Sequence, residues 1–465
     1  MRTVLRKINF IIAPLVIALV ATSCATTQQD VSQQAVNSVA KNTIETPDSW
    51  VTKAAKYKVP IKWIESFNDP LMLKLIEEGK ANNIDLQVAA LNMDKAWLLA
   101  EQSGAALKPT ADLSLGKNQS GTADNGSSSG NINVGLRANW ELDIWGRISA
   151  GIGAAEASAQ AVEADFIFAQ HSLSANIAKT YLKVIEAKQQ AEITRKNLSI
   201  LKETMRITQV KYANGLANGQ DVAVNRANLA SAEEQLTTIE GSQRDAVRAL
   251  QMLLGRYPDA ALELPDVLPD LPPQPPAGVP SDILERRPDI VSAERKIASA
   301  FNATNQAKAA SLPRFALTSE IGGSSSSLSD VLDPANVIWQ LGTNLVAPLL
   351  DGGKREIDLK IANAEQNQAI KSYASVALTA FSEVENNLDQ GRVLSSRETA
   401  LNEVLKQSKK AYRIAKLRYK EGEIDLLDTL TIQQQAISAE SNLLSIKRAQ
   451  LEQRINLYLS LGGSW

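Results

Sequence analysis

A chain of 465 residues that holds one His and one Cys has few side chains with which to make or break covalent bonds. His171 lies in a Pro-free, helix-forming run with neither a second His nor a Cys nearby, so the spacing that would let two such ligands share a metal is missing. "DGGKR" from Asp351 has the look of a phosphate cradle, yet the upstream Gly and the following Ser or Thr are absent, and it reads as a strand-to-helix junction. Nowhere do a nucleophile, a base and an orienting group converge, so neither an enzyme nor a cofactor is expected. The groups left with work to do are carboxylates beside two sharp turns. Asp221 lies in "KYANGLANGQDVAV" (Lys211–Val224), and Glu423, Asp425 and Asp428 lie in "RYKEGEIDLLDTL" (Arg418–Leu430). Each stretch has a Tyr three residues before a Gly and an Asp six after it. Gly215 and Gly422 supply the positive φ that ends a helix, and Asp221 or Asp428 caps the returning helix or sits in its first turn.

The turn occurs twice because the chain is built twice. Tyr212 and Tyr419, Gly215 and Gly422, Asp221 and Asp428, Gly146 and Gly353, and Gly255 and Gly462 all stand 207 residues apart. The first half, 61–263, holds strands at about 109–118 and 131–145 and a long helical hairpin over 147–255. The second, 286–465, holds strands at about 313–322 and 337–349 and a hairpin over 354–462. Between them the prolines of 264–285 lack donors and clash with a preceding turn, which predicts an extended connector.

Inside each half the period switches. Ile132, Val134, Leu136, Ala138, Trp140 and Leu142 alternate with Asn133, Arg137, Asn139, Glu141 and Asp143, the pattern of a strand with one apolar and one polar face. Phe315, Leu317 and Ile321, then Val337, Trp339, Leu341 and Leu345, repeat it against Arg314, Glu320 and Gln340. Strands of roughly 10 residues are long enough to cross a bilayer when tilted, with Trp140, Trp145 and Trp339 as interface anchors; a soluble sandwich alternates in the same way. From Arg147 to Asn214 there is no Pro, and at 1.5 Å per residue that predicts a helix of roughly 100 Å. Leu198, Leu201, Met205, Thr208 and Tyr212 recur in steps of three and four, a coiled-coil seam.

The N-terminus is an export signal over 1–23: Arg2, Arg6 and Lys7 precede an apolar run from Ile8 to Ala21. Cys24 follows Ala21, Thr22 and Ser23 in a stretch that resembles a bacterial lipobox, which makes Cys24 the lipid-bearing residue and 24–60 a tether; an ordinary signal peptide with an incidental Cys is the alternative. Removing 1–23 takes the formal charge from −2 to −5, a balance that does not recruit nucleic acid. No later run offers 18 apolar residues, so a membrane crossing has to be made by strands.

Together "WELDIWGR" (Trp140–Arg147), "LLDGGKR" (Leu349–Arg355), the segment Arg286–Thr318 that opens with "RRPDIVSAERK" and the two Y-x-x-G tips resemble the outer membrane factor family of TolC-type efflux channels, in its lipoprotein branch. The resemblance covers roughly Trp63 to Gly463. It implies a mostly helical, mixed α and β fold: a homotrimeric, 12-stranded transmembrane β-barrel, four strands per protomer, continued by a long α-helical periplasmic barrel. The implied function is the passive exit channel of a tripartite efflux system, lipid-anchored in the outer membrane, with a periplasmic adaptor and an inner-membrane transporter of RND type as partners. A type I secretion duct and a non-conducting periplasmic scaffold lipoprotein are the alternatives. Glu423, Asp425 and Asp428 are implied as the periplasmic gate, although the family's further carboxylate, nine residues past the tip Gly, is Thr431 here. Capping the helix is the competing role for Asp425 and Asp428. Gly215, Gly422 and Asp221 are implied to shape the hairpin tips and dock the adaptor.

Overall fold

The computed structural model describes residues 46–52, 63–121, 128–278, 280–331 and 333–463. The expected signal peptide, Cys24 and most of the tether lie outside the described residues. Helices α1 (Pro70–Asn82), α2 (Ile84–Gly104), α3 (Arg147–Ala213), α4 (Gly219–Leu253), α5 (Pro280–Arg286), α6 (Pro288–Ala309), α7 (Lys354–Glu421) and α8 (Leu426–Ser460) accompany β1 (Thr110–Gly121), β2 (Ser128–Leu142), β3 (Arg314–Ser325) and β4 (Val337–Val346). Among the described residues no helix is long and apolar enough to cross a membrane. Two compact units form: one from Leu91–Ala164 and Ile290–Val376, the other from Thr46–Ala90, Asp165–Asp289 and Ala377–Trp465.

The first unit carries one antiparallel sheet in the order β1-β2-β3-β4. Its register lines up the alternation of all four strands. Leu113, Leu136, Ile321 and Trp339 make one cross-strand row, and Leu115, Val134, Gly323 and Val337 another. One residue out of step, and therefore on the opposite face, comes the row Asp112, Arg137, Glu320 and Gln340, where Arg137 Nη2 meets Glu320 Oε2 at 3.0 Å. Ile338 is an apolar intruder on that polar face. The apolar face is bare: Leu113, Leu115, Trp339 and Leu341 are 76, 72, 74 and 73% exposed. Both edges, β1 and β4, are unpaired among the described residues.

Two strands stop short of the expected ends, β2 at Leu142 and β4 at Val346, and an Asp beyond each serves the helix that follows. Asp143 leaves β2 to accept hydrogen bonds from Ile148 N (2.8 Å) and Ser149 N (2.7 Å) at the start of α3. Asp351, past the end of β4, accepts from Gly353 N (3.1 Å) and Arg355 N (3.0 Å) at the start of α7. Each Asp satisfies helix donors that have no intrahelical partner. Trp140 and Trp145 give their indole N–H groups to Leu107 O and Pro313 O, at 2.8 and 2.7 Å.

In the second unit the N-cap Asp69 of α1 accepts from Leu71 N and Met72 N and, at 2.6 Å, from the hydroxyl of the fully buried Tyr181. Burial, with the Asp69 contact behind it, pushes the Tyr181 pKa far up. Trp50 is buried edge-on against Phe381 with its ring N–H on Ala277 O, while Val51 N and Thr52 N both donate to the Glu385 carboxylate. Arg287, 3% exposed, ties three segments through Asp289 (3.0 and 2.7 Å), Glu383 (2.7 Å) and Ser460 O (3.2 Å). Burial opposes its charge, but Asp289 and then Glu383 outweigh burial and raise the pKa. The connector is extended only to residue 278; its expected tail winds instead into α5, where Pro280 stands at the first helical position and its missing N–H costs nothing.

Candidate functional site

The two hairpin tips lie in the second unit, and both end the outgoing helix in the same way. Leu216 N donates to Lys211 O (2.8 Å) and Gly215 N to Tyr212 O (3.0 Å); Glu423 N donates to Arg418 O (2.9 Å) and Gly422 N to Tyr419 O (3.2 Å). These are the paired bonds of a Schellman motif, which needs a left-handed residue between them. Gly215 and Gly422 have φ of +74° and +78°. A Cβ at either would meet nothing within 4 Å, so the dihedral, not space, demands glycine there. The Tyr of each Y-x-x-G stretch supplies one of the two accepting carbonyls.

The returning helices differ in their caps. Asn218 caps α4, accepting from Asp221 N at 2.9 Å while Asp221 Oδ2 accepts from Asn218 N at 3.2 Å, a reciprocal capping box. Asp221 is thus the third residue of its helix, and the cap is an Asn that sequence reasoning passed over although N-x-x-D was its signal. Asp425 caps α8, accepting from Asp428 N at 2.8 Å, and Asp428 sits in the first turn. Glu423 pairs with Arg418 Nε at 3.0 Å, both side chains more than half exposed. Glu423, Asp425 and Asp428 therefore all face solvent within six residues of one another.

The seam residues Leu198, Leu201 and Thr208 and the tip Tyr419 hold the hairpins together with side chains that no sequence pattern singled out. Lys211 Nζ lies 4.1 Å from the Tyr419 ring centre and 3.4 Å from Tyr419 O. Leu201, Ala232, Leu426 and Leu430 form a buried cluster under the tips, with Leu198, Val224, Leu229 and Tyr419 packed on it. Beside it run two buried polar pairs, Gln433 to Asn197 and Asn225 to Thr208, both 2.8 Å. Among the described residues no three His, Cys, Asp or Glu side chains gather to hold a metal. The tip holds a sharp turn through its two glycines and presents carboxylates to solvent.

Residues 75–256 and 279–463 match the family model for outer membrane efflux proteins. The pyoverdine export outer membrane protein OpmQ of Pseudomonas aeruginosa is 29% identical over 417 residues, 87% of each chain. The cation efflux system protein CusC of Escherichia coli is 28% identical over 407 residues, 87% of this chain and 88% of that one. Among solved structures, the outer-membrane channel OprN superposes with a TM-score of 0.83 at 27% identity, covering 91% of this chain and 98% of its own. The open state of the Neisseria gonorrhoeae MtrE outer membrane channel gives 0.81 at 27% identity, covering 90 and 96%. This is a protein of the outer membrane that extends into the periplasm and serves as an exit channel for efflux: with both of its halves matched, the chain belongs to the outer membrane efflux protein family.

Proposed function

We propose that the working channel is a homotrimer, in which three four-stranded sheets join edge to edge into one 12-stranded barrel with the apolar face toward lipid and the row Asp112–Arg137–Glu320–Gln340 toward the lumen. The observation that carries this reading is the open sheet itself. Unpaired strand edges cannot stand in hydrocarbon, and four strands are too few to close on themselves. The helices continue the duct, and the tips around Gly215, Gly422 and Asp221 receive a periplasmic adaptor that links the channel to an inner-membrane transporter of RND type. Glu423, Asp425 and Asp428, repeated three times about the axis, gate the periplasmic end and favour cations. Cys24 carries the lipid that holds the N-terminus at the membrane.

Supporting this reading, the relatives include an outer membrane protein of pyoverdine export, an outer membrane protein of a solvent efflux pump and a protein of a cation efflux system. The test uses the full-length protein extracted in detergent. Trimers that survive SDS until heated, and stepwise conductance in a planar bilayer, are expected. Protein that runs as a monomer at every temperature and adds no conductance would end the reading.

A further inference from the structure

Beneath the connector, the second unit holds a cavity of about 850 Å³, walled by α3, α7, α8 and residues 266–271. That size is within the ~300–1,000 Å³ that takes a small molecule. The roof is stiff and held at its ends. Leu264 O accepts from Lys188 Nζ (2.9 Å), Ala277 O accepts from the Trp50 ring N–H (3.2 Å), and Pro265, Pro269 and Pro272 between them have no N–H to give. Leu405, Leu443 and Leu451 make the lining apolar, and Val267 and Leu271 of the roof stay 66 and 41% exposed.

The charges around the cavity do not cancel. Four of its carboxylates are engaged: Asp266 with Lys188 (2.5 Å), Glu192 with Arg195 (3.6 Å), Glu440 with Lys409 (3.0 Å) and Glu398 with the Gln450 amide (2.9 Å). Asp270 is exposed on the roof, while the lining Lys196 and Lys447 make no ion pair among the described residues. Farther along the same stripe of α8 stands Arg454. At about 100° per residue it falls within about 40° of Leu443, Lys447 and Gln450, and a helical side chain leans back over the preceding turn, here toward Gln450 and the cavity. Arg454 is 7% exposed, its Nε and Nη1 are buried without a hydrogen-bond partner, and it makes no ion pair among the described residues. Burial pushes its pKa down, with Tyr458 acting the other way. A guanidinium still keeps its proton, and a buried charge left unpaired is costly.

We propose that this cavity binds a long-chain carboxylate, a fatty acid, with its head on Arg454 and its chain running along α8 under the connector. A carboxylate is the planar partner that a guanidinium fork recognises, and one negative charge answers one buried positive one. From Arg454 to Glu440 the stripe spans about 21 Å of helix, long enough for an extended palmitate chain. The stems of Lys196 and Lys447 add apolar wall while their ammonium groups stay in water. Every wall belongs to one chain, so the site does not depend on the homotrimer or on the tips.

The test uses full-length protein in nanodiscs of a neutral phospholipid and a palmitate probe with a diazirine in its chain. Irradiation should label peptides holding Val267–Leu271 and Leu443–Leu451; unlabelled palmitate should compete, whereas hexadecanol and inorganic phosphate should not. Arg454→Met should raise the palmitate needed for competition roughly tenfold or more, the loss of one charge-assisted hydrogen bond, and Arg454→Lys should keep most of the affinity. Thermal unfolding followed by circular dichroism gives a second readout. Palmitate should raise the parent's midpoint; Arg454→Met should start from a higher midpoint, since an unpaired buried charge is gone, and gain nothing from palmitate. Leu268→Trp, which fills the cavity from its roof and leaves the helices alone, should abolish the labelling in folded protein, so the test survives a misfolded Arg454 variant. Label scattered over the chain, equal competition by hexadecanol, unchanged competition in Arg454→Met or labelling that persists in Leu268→Trp would overturn the proposal. Competition by lysophosphatidate but not by palmitate would assign a phosphate head and overturn the carboxylate.

Discussion

Three substitutions separate the two jobs that the acidic tip of the second hairpin can do. Asp425→Ala removes the acceptor for Asp428 N and the charge together; Asp425→Ser keeps an acceptor without the charge; Asp428→Asn removes a charge while its backbone N–H still bonds Asp425. Losing an N-cap to Ala costs about 1 kcal/mol, or about fivefold in the opening of the first turn. That turn holds Leu426, Thr429 and Leu430 in buried positions, so fraying would loosen the cluster beneath it. Charge acts differently. Two carboxylates about 10 Å apart in water repel by only ~0.4 kcal/mol, and at 0.1 M salt the Debye length is of the same order, about 10 Å. A gate of acidic rings must therefore reveal itself at low salt. Reversal potentials under a KCl gradient across planar bilayers, measured near 0.02 M and near 1 M, are the assay, with hydrogen exchange of Leu426–Leu430 as the control for fraying. Asp425→Ser and Asp428→Asn should lose cation preference at low salt only, with exchange near the parent's, whereas Asp425→Ala should also exchange faster; Ala at both positions should enlarge the single-channel conductance. If Ser at 425 and Asn at 428 both leave cation preference and conductance untouched, the carboxylates serve the helix end and the gate lies elsewhere.

Arg287→Ala should destabilise the second unit by about 3 kcal/mol, because it strands Asp289 and Glu383 beside a buried site; this is the low end for a broken buried pair, since Glu383 is 47% exposed. Denaturant titration in detergent measures it, and a change under 1 kcal/mol would contradict it. Gly422→Val should abolish efflux with normal protein levels, since a left-handed φ costs an L-residue about 1–2 kcal/mol and a β-branched one more; Gly422→Asn should retain most of it, and equal loss in both would point to something other than the dihedral. Burial, with the Lys80 charge second, lowers the His171 pKa from 6.5 to about 4. Between those values the unfolded chain takes up a proton that the folded one refuses, so stability should fall as pH drops from 6.5 toward 4, and His171→Gln should flatten that slope.

Features set by a residue's own backbone preference could be read from the chain. Gly215 and Gly422 are visible because few other residues tolerate their dihedral, and the strands because strict apolar–polar alternation suits an extended backbone and not a helix. Boundaries were less legible: Asp143 reads as one more polar-face residue until the donors of α3 claim it. Pro280 reads as more connector until a helix starts on it. Least legible were contacts made across long separations. Asn197 and Gln433 are 236 residues apart, and neither type announces a buried partner. Trp50 and Arg287 acquire their roles only when three distant segments meet around them. At the tip, sequence located the carboxylates but not which of them holds the helix.

The register of the four strands limits how this protein can change over evolutionary time. Side chains alternate strictly, so one inserted residue inside β2 would turn Val134, Leu136 and their neighbours onto the polar face and Arg137 onto the apolar one. A single insertion inside a strand needs a bulge to absorb it, whereas two together keep the faces. Relatives should therefore vary freely in the lengths of the turns that join the strands, while strand lengths differ by even steps or not at all.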